Sequence, residues 1–226
     1  MSIGRRWGDE MKLLDTFCKA GGATRGYQMT GFEVVGVDIE PQPHYVGEHF
    51  IQADALDVLY ALAHGDCWPD SCNPRHDWHL EDFDAIHASP PCQKYSVVGN
   101  HSRAAGTVYP DLIAPTRKLL VETCCPFVIE NVVCAPLVGP LLLCGSMFDP
   151  PMDIRRHRLF ETNVPIEAPT WGCRHGLLGP RFQVYEHYKK RATTTVRVNG
   201  GYVSKEAFRA MGIDWMTWKE LTQAIP

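Results

Sequence analysis

Cys92 stands directly behind two prolines, just past the short apolar run DAIHA at residues 84–88. Proline fixes φ and lacks a backbone donor, so Pro90 and Pro91 make a stiff exit that holds the thiol in one place. Such a thiol acts as a nucleophile when a cation or a helix amino terminus favours the thiolate; taken alone it reads more simply as a structural cysteine. Glu130 and Asn131 end a second apolar run, PFVIEN at 126–131. Neighbouring strand ends of a parallel sheet open onto one crevice, so Cys92 and Glu130 can meet there. A carboxyl group desolvated in that crevice has a raised pKa and can donate a proton at neutral pH. Arg156 and Arg158 alternate in RRHRLF at 155–160 and share one face if the stretch is a strand, where they suit a base carbonyl or a phosphate.

A further constellation is LLDTFCKAGGATRGY at 13–27, an apolar run followed by a glycine-containing turn and a helix-compatible stretch. Such a turn lets a ligand approach the backbone and meet the positive end of the helix. Asp38 closes the next run, where a carboxylate accepts from a ribose diol, and Asp54 in IQADAL can receive an exocyclic amino group. Lys19 stands where a dinucleotide loop has glycine, which favours an S-adenosylmethionine pocket over an NAD pocket and leaves a structural glycine turn as the bland reading.

These residues need a sheet to bring them together. Short β-rich runs at 11–17, 33–38, 49–52, 84–88 and 126–131 alternate with helix-compatible stretches at 23–30, 55–63 and 112–124. That rhythm predicts an α/β fold with a parallel sheet, Pro115 falling near the start of its helix. Two regions break it: HGDCWPDSCNPRHDWHLED at 64–82, read as an inserted loop, and residues 161–203, rich in Pro, Gly and Arg, read as a small lobe. With 226 residues, 45% of them hydrophobic and 21% charged, the chain has the bulk for one domain plus a lobe. Residues 151–226 carry 12 Lys and Arg against 7 Asp and Glu, although the whole chain has a net charge of -4, so a basic tail portion compatible with a polyanion follows an acidic body. No stretch has the apolar length of a membrane span or a secretory signal, so a cytoplasmic protein with reduced cysteines is expected.

In this order the segments resemble the DNA cytosine-5 methyltransferase family, over about the first 160 residues and the extreme carboxyl end. The first motif of that family is similar to residues 15–22, its ribose-binding acid to Asp38, its adenine-contacting acid to Asp54, its Pro-Cys motif to residues 90–93, its Glu-Asn-Val motif to 130–132 and its Arg-x-Arg motif to Arg156 and Arg158. The resemblance implies a doubly wound, Rossmann-like S-adenosylmethionine-dependent methyltransferase domain at 1–160, a target-recognition region at 161–203 and a carboxyl-terminal segment at 204–226 that returns to the first domain. It implies S-adenosylmethionine held by Phe17, Lys19, Gly21, Gly22, Asp38, Ile39, Asp54 and Ala55. Cys92, Glu130 and Arg158 become catalytic; Pro91, Gln93, Ser96, Asn131 and Arg156 become substrate-binding; and no metal is assigned to the chemistry.

The implied reaction explains the residue types. Carbon 5 of cytosine is a poor nucleophile, so the Cys92 thiolate adds to carbon 6 while Glu130 protonates N3 and Arg158 holds the carbonyl oxygen. Carbon 5 then takes the methyl group, and loss of its proton expels the thiolate. Attack on the ring face requires the base to leave the stack of double-stranded DNA. The segment SVVGNHSRAAGTVY at 96–109 has the small and polar residues of a mobile closing loop. The same chemistry on tRNA and a non-catalytic nucleic-acid-binding relative are the alternatives, and a monomer in a bacterial or phage-infected cell is expected. The chain departs from the family at Lys19, usually glycine, and at Ile39, often aromatic; its end, WKELTQAIP, resembles the start of the family's last motif, as in a short or truncated form. Cys67, Cys72, His76 and His79, within 13 positions of the inserted loop, are outside the family pattern and are candidate zinc ligands of unusual spacing.

Overall fold

The computed structural model describes residues 11–71, 73, 75–96, 103–149, 156–175, 208 and 211–221. Strand β1 (Met11–Thr16) buries its last four residues in succession, the pattern of a parallel strand covered on both faces. It feeds helix α1 (Gly22–Met29), followed by β2 (Phe32–Asp38), β3 (His49–Gln52) and α2 (Ala55–Ala63). A two-stranded hairpin, β4 (Trp68–Pro69) and β5 (Asp77–Trp78), precedes β6 (Ala85–Ala88), α3 (Ile113–Thr123) and β7 (Phe127–Asn131). Strands β8 (Leu141–Cys144) and β9 (His157–Thr162) and the short helix α4 (Trp218–Leu221) follow.

Seven strands form one sheet in the order β3-β2-β1-β6-β7-β9-β8. The first five are parallel, whereas β9 runs antiparallel to both β7 and β8. The order reverses at β1, which lies between β2 and β6, so the sheet is doubly wound and its crevice opens at the carboxyl ends of β1 and β6. Pairing of Thr16 with Ala88 sets the glycine turn beside the Pro-Pro-Cys exit. Helices α2 and α3 pack against each other, and Val58, Leu59 and Leu62 of α2 join Leu14, Val35, Ile51, Ile86, Leu120 and Ile129 in the core. Each such side chain contributes about 1.5–3 kcal/mol when fully buried.

The five expected strands and three expected helices lie within one residue of their anticipated bounds, and Pro115 occupies the third position of α3. The inserted loop is more ordered than its polar composition suggested. Asp70, buried at 2% exposure, accepts from the Trp78 indole at 3.2 Å and meets the His49 ring at 2.9 Å, which anchors the hairpin to β3. Trp78 joins the core, with Trp68 and Leu80 packed against it, but these apolar residues are scattered among polar ones, so no periodicity announced the loop. Among the described residues no helix is long and apolar enough to cross a membrane.

Candidate active site

The turn after β1 holds three residues in the left-handed region, Phe17 (φ 61°), Lys19 (φ 48°) and Gly21 (φ 85°). A Cβ on Gly21 would lie 2.8 Å from Val46 Cγ1, so glycine is required there both by backbone and by space. Gly22 opens α1. Asp38, at 3% exposure, accepts from the Lys19 amide at 3.0 Å and the Glu40 amide at 3.0 Å. The Lys19 ammonium also reaches it, 3.4 Å from Asp38 Oδ1 and 3.2 Å from Glu40 Oε2. Burial alone would lower the lysine's pKa, but these two carboxylates outweigh it and raise it. Lys19 therefore covers the Asp38 carboxylate.

Asp54 caps α2, its Oδ1 accepting from Leu56 N at 2.8 Å, and Ala55 starts that helix as a buried residue. Phe17 packs partly buried against the core, while Ile39 is 63% exposed. Beneath the turn Asp15 accepts from Thr24 Oγ1 at 2.6 Å, but its Oδ1 is buried without a hydrogen-bond partner. Burial pushes the Asp15 carboxyl up to about 7. The Trp215 indole donates to the Ala20 carbonyl at 3.0 Å, so the carboxyl-terminal segment touches the turn. An acceptor-rich turn of this kind, lying over a buried carboxyl group with one orphaned oxygen, fits a ligand bearing an ammonium group, a diol and an exocyclic amine.

On the far side of the switch point, the Cys92 carbonyl accepts from Tyr95 N at 2.9 Å and Ser96 N at 2.7 Å, curling the chain into one turn after the prolines. Asn131 donates from Nδ2 to the Pro90 carbonyl at 2.9 Å, while its Oδ1 accepts from Val132 N at 2.9 Å. This side chain ties the end of β7 to the end of β6. Next to it Glu130, at 6% exposure, forms an ion pair with Arg158, Nε to Oε1 2.6 Å. The pair follows from register: Glu130 faces Phe160 across β7 and β9, and Arg158, two residues from Phe160, is its diagonal neighbour on the same face.

Burial raises the Cys92 pKa, Arg158 and Arg156 work against that rise, and Glu130 adds to it. Burial likewise raises Glu130, against the pull of Arg158 and Arg156. The resting group is a thiol. A proton on Glu130 would remove a repulsion felt by a Cys92 thiolate and free Arg158 to stabilise it, so the protonation states of the two groups are linked. The structure thus brings Cys92, Glu130, Asn131, Arg156 and Arg158 into one electrostatic neighbourhood. Pro91, Gln93 and Ser96 share the Cys92 turn.

Four positions here were missed by sequence reasoning. Ser89 hydrogen-bonds the Glu130 side chain and meets His87 Nε2 at 2.8 Å, and His87 Nδ1 meets the Tyr27 hydroxyl at 3.0 Å. Burial holds His87 at about 4, so this chain of polar groups is uncharged at neutral pH. Its signal was a histidine within the apolar run of β6. Arg103 was also missed: it donates to the carbonyls of Gln93 and Ser96, the latter at 2.9 Å, and so clasps the Cys92 turn. Residues 97–102 of the expected closing loop and 176–203 of the expected lobe lie outside the described residues. So does Cys72; among the described residues Cys67, His76 and His79 do not gather as a metal-binding group. His76 packs edge-on against Trp78 at 4.3 Å, and His79 N donates to Asp82 Oδ2 at 2.8 Å.

The family of C-5 cytosine-specific DNA methylases matches residues 11–134, more than half of the chain and the stretch holding both the glycine turn and Cys92. The chain belongs to this family. Its cofactor is accordingly S-adenosylmethionine, for which the acceptors around the glycine turn are suited. No curated protein matches the chain. Among solved structures, the Dnmt2 methyltransferase of S. pombe is 13% identical with a TM-score of 0.40, covering 70% of this chain and 52% of that one. The bifunctional kinase-methyltransferase WbdD is 14% identical with a TM-score of 0.36, over 73% of this chain and 37% of that one. A SAM-dependent methyltransferase from Agrobacterium tumefaciens is 15% identical with a TM-score of 0.33, over 69% of this chain and 56% of that one. The methylase-family chain thus spans about half the length of the first of these.

Proposed function

We propose that the chain transfers a methyl group from S-adenosylmethionine to carbon 5 of cytosine in double-stranded DNA, through a covalent adduct of a flipped base with Cys92. The observation that carries this reading is the Asn131 clasp on the Pro90 carbonyl, which sets Cys92 beside the Glu130–Arg158 pair. Bound S-adenosylmethionine supplies the electrophilic methyl group. The Cys92 thiol gives up its proton to solvent, and the thiolate forms a bond to carbon 6 as Glu130 passes a proton to N3, leaving a neutral enamine and a glutamate that Arg158 receives as an ion pair. Methylated carbon 5 then loses its proton to solvent, the thiolate leaves as the ring double bond returns, and N3 gives its proton back to Glu130. Arg156, Gln93, Ser96 and Pro91 line the entry of the base, and Asn131 holds the geometry rather than a proton.

In this reading one copy of the chain acts in the cytoplasm of a bacterial or phage-infected cell, with residues 161–203 meeting the target sequence. Tritiated methyl transfer from the cofactor to mixed-sequence duplex DNA and to tRNA tests the substrate. Label in DNA is expected. Label in tRNA alone would retain the chemistry and refute the DNA assignment; label in neither would refute the transfer itself.

A further inference from the structure

Four soft ligands of the described chain converge away from the methyl-transfer crevice. Cys144 is the last residue of β8 and pairs in register with His157, the first residue of β9, so their side chains leave the same face of the sheet edge. Cys173 and His175, separated only by Arg174, arrive from the segment that follows β9. One ligand atom from each of the four lies within 4.8 Å of every other. Cys144 Sγ is 3.3 Å from His175 Nε2, and Cys173 Sγ is 3.1 Å from His157 Nε2; the two imidazole rings stand 5.1 Å apart at 69°. A tetrahedral zinc with bonds of about 2.3 Å to sulfur and about 2.0–2.1 Å to nitrogen spaces its ligand atoms by roughly 3.3–3.8 Å. Two of the pairs stand close to that spacing, and none lies more than about 1 Å beyond it.

The surroundings prepare it. Ser146 Oγ lies 3.3 Å from Cys144 Sγ and accepts from Arg174 N at 3.1 Å, so the approaching segment is hydrogen-bonded onto the turn Gly145–Met147 before any ion binds. Arg174 Nε also donates to the Ser146 carbonyl at 3.2 Å, and its guanidinium lies 5.3 Å from the Trp171 ring centre. The geometry points to a structural zinc site formed by Cys144 and Cys173 as thiolates and His157 and His175 through Nε2. Two thiolates neutralise the dication, and their two protons pass to solvent on binding. All four positions are filled by protein, which leaves no place for a reacting water and makes the site a staple rather than a catalyst. It fastens the chain entering residues 176–203 to the sheet edge, one residue from Arg158 but on the opposite face.

The test is elemental analysis of the full chain purified from zinc-supplemented cells without chelator. About one equivalent of zinc is expected, falling at least tenfold in Cys144→Ser/Cys173→Ser and unchanged in Cys67→Ser/His76→Gln. Cobalt titration of the wild-type apoprotein stands independently of whether the double variant folds: it should give tetrahedral visible bands with thiolate charge transfer, erased by zinc. Wild-type protein with under a tenth of an equivalent of zinc and no tetrahedral cobalt spectrum would overturn the site. So would zinc retained by a folded Cys144→Ser/Cys173→Ser protein.

Discussion

Burial raises the pKa of the Cys92 thiol most, and the two charges beside it, Arg158 and Glu130, act in opposite directions on top of that. Glu130 raises the thiol's pKa and Arg158 opposes it, so neutralising the first or removing the second should move the thiol in opposite directions. Glu130→Gln is expected to shift the pH profile of Cys92 alkylation to lower pH and Arg158→Ala to higher pH, read by mass spectrometry of the peptide carrying Cys92. A shift of the same sign in both variants would contradict the balance. Lys19 is the second residue with a clear expectation. Its left-handed φ of 48° costs about 1 kcal/mol that glycine would not incur, and its half-exposed ammonium competes for Asp38. An ion pair of that exposure is worth at most about 1 kcal/mol, so Lys19→Gly should tighten cofactor binding by no more than about fivefold in calorimetry. Weaker binding would mean that the lysine helps to hold the ligand. Lys19 could be seen as a departure in the sequence, but its grip on Asp38 could not, since that depends on where a flexible side chain comes to rest.

Register between elements, more than any one residue, assembles the crevice. Asn131 joins two strand ends through one donor and one acceptor, and Asn131→Asp keeps the acceptor for Val132 N while turning an acceptor towards the Pro90 carbonyl. The substitution should cost about 1–3 kcal/mol in denaturant unfolding and reduce the rate of adduct formation more than cofactor affinity. Equal losses in both would instead indicate general unfolding. The parallel strands and their helices were legible because β1, β2, β6 and β7 are buried in successive residues and appear as short, mainly apolar runs. The antiparallel pairing of β8 with β9 was not: residues 155–160 could be read only conditionally as a strand, and nothing in Leu141–Cys144 announces its partner. The Glu130–Arg158 contact follows from that pair, as does the Glu161 carboxylate, which takes Arg117 Nε at 2.6 Å and Nη2 at 2.7 Å on the opposite face and locks β9 to α3.

Across the whole molecule, two buried groups beneath the site set opposing pH dependences of stability. Asp15, raised to about 7, is protonated in the native state over a range where the unfolded chain has lost that proton, so it makes stability fall as pH rises from about 4 to 7. His87, held at about 4, is neutral in the native state while the unfolded chain is protonated, so it makes stability rise from about 4 to 6.5. The two slopes, each of about 1.4 kcal/mol per pH unit at most, nearly cancel in the wild type. Denaturant unfolding of Asp15→Asn from pH 4 to 6.5 should therefore show stability rising with pH, and His87→Gln should show it falling. Parallel trends would contradict the assigned protonation states. The polar groups that create this balance were hard to foresee, because a sequence shows a histidine in a strand without showing whether water reaches it.

The central claim, that Cys92 attacks the base, is tested most directly by incubating the protein with cofactor and mixed-sequence duplex DNA in which 5-fluorocytosine replaces cytosine, because the fluorine blocks the final elimination and retains the covalent intermediate. Denaturing mass spectrometry is expected to find one strand joined to the peptide containing Cys92, with no adduct in Cys92→Ala although that variant still binds cofactor. An adduct through another residue, or none in active wild-type protein, would contradict the account.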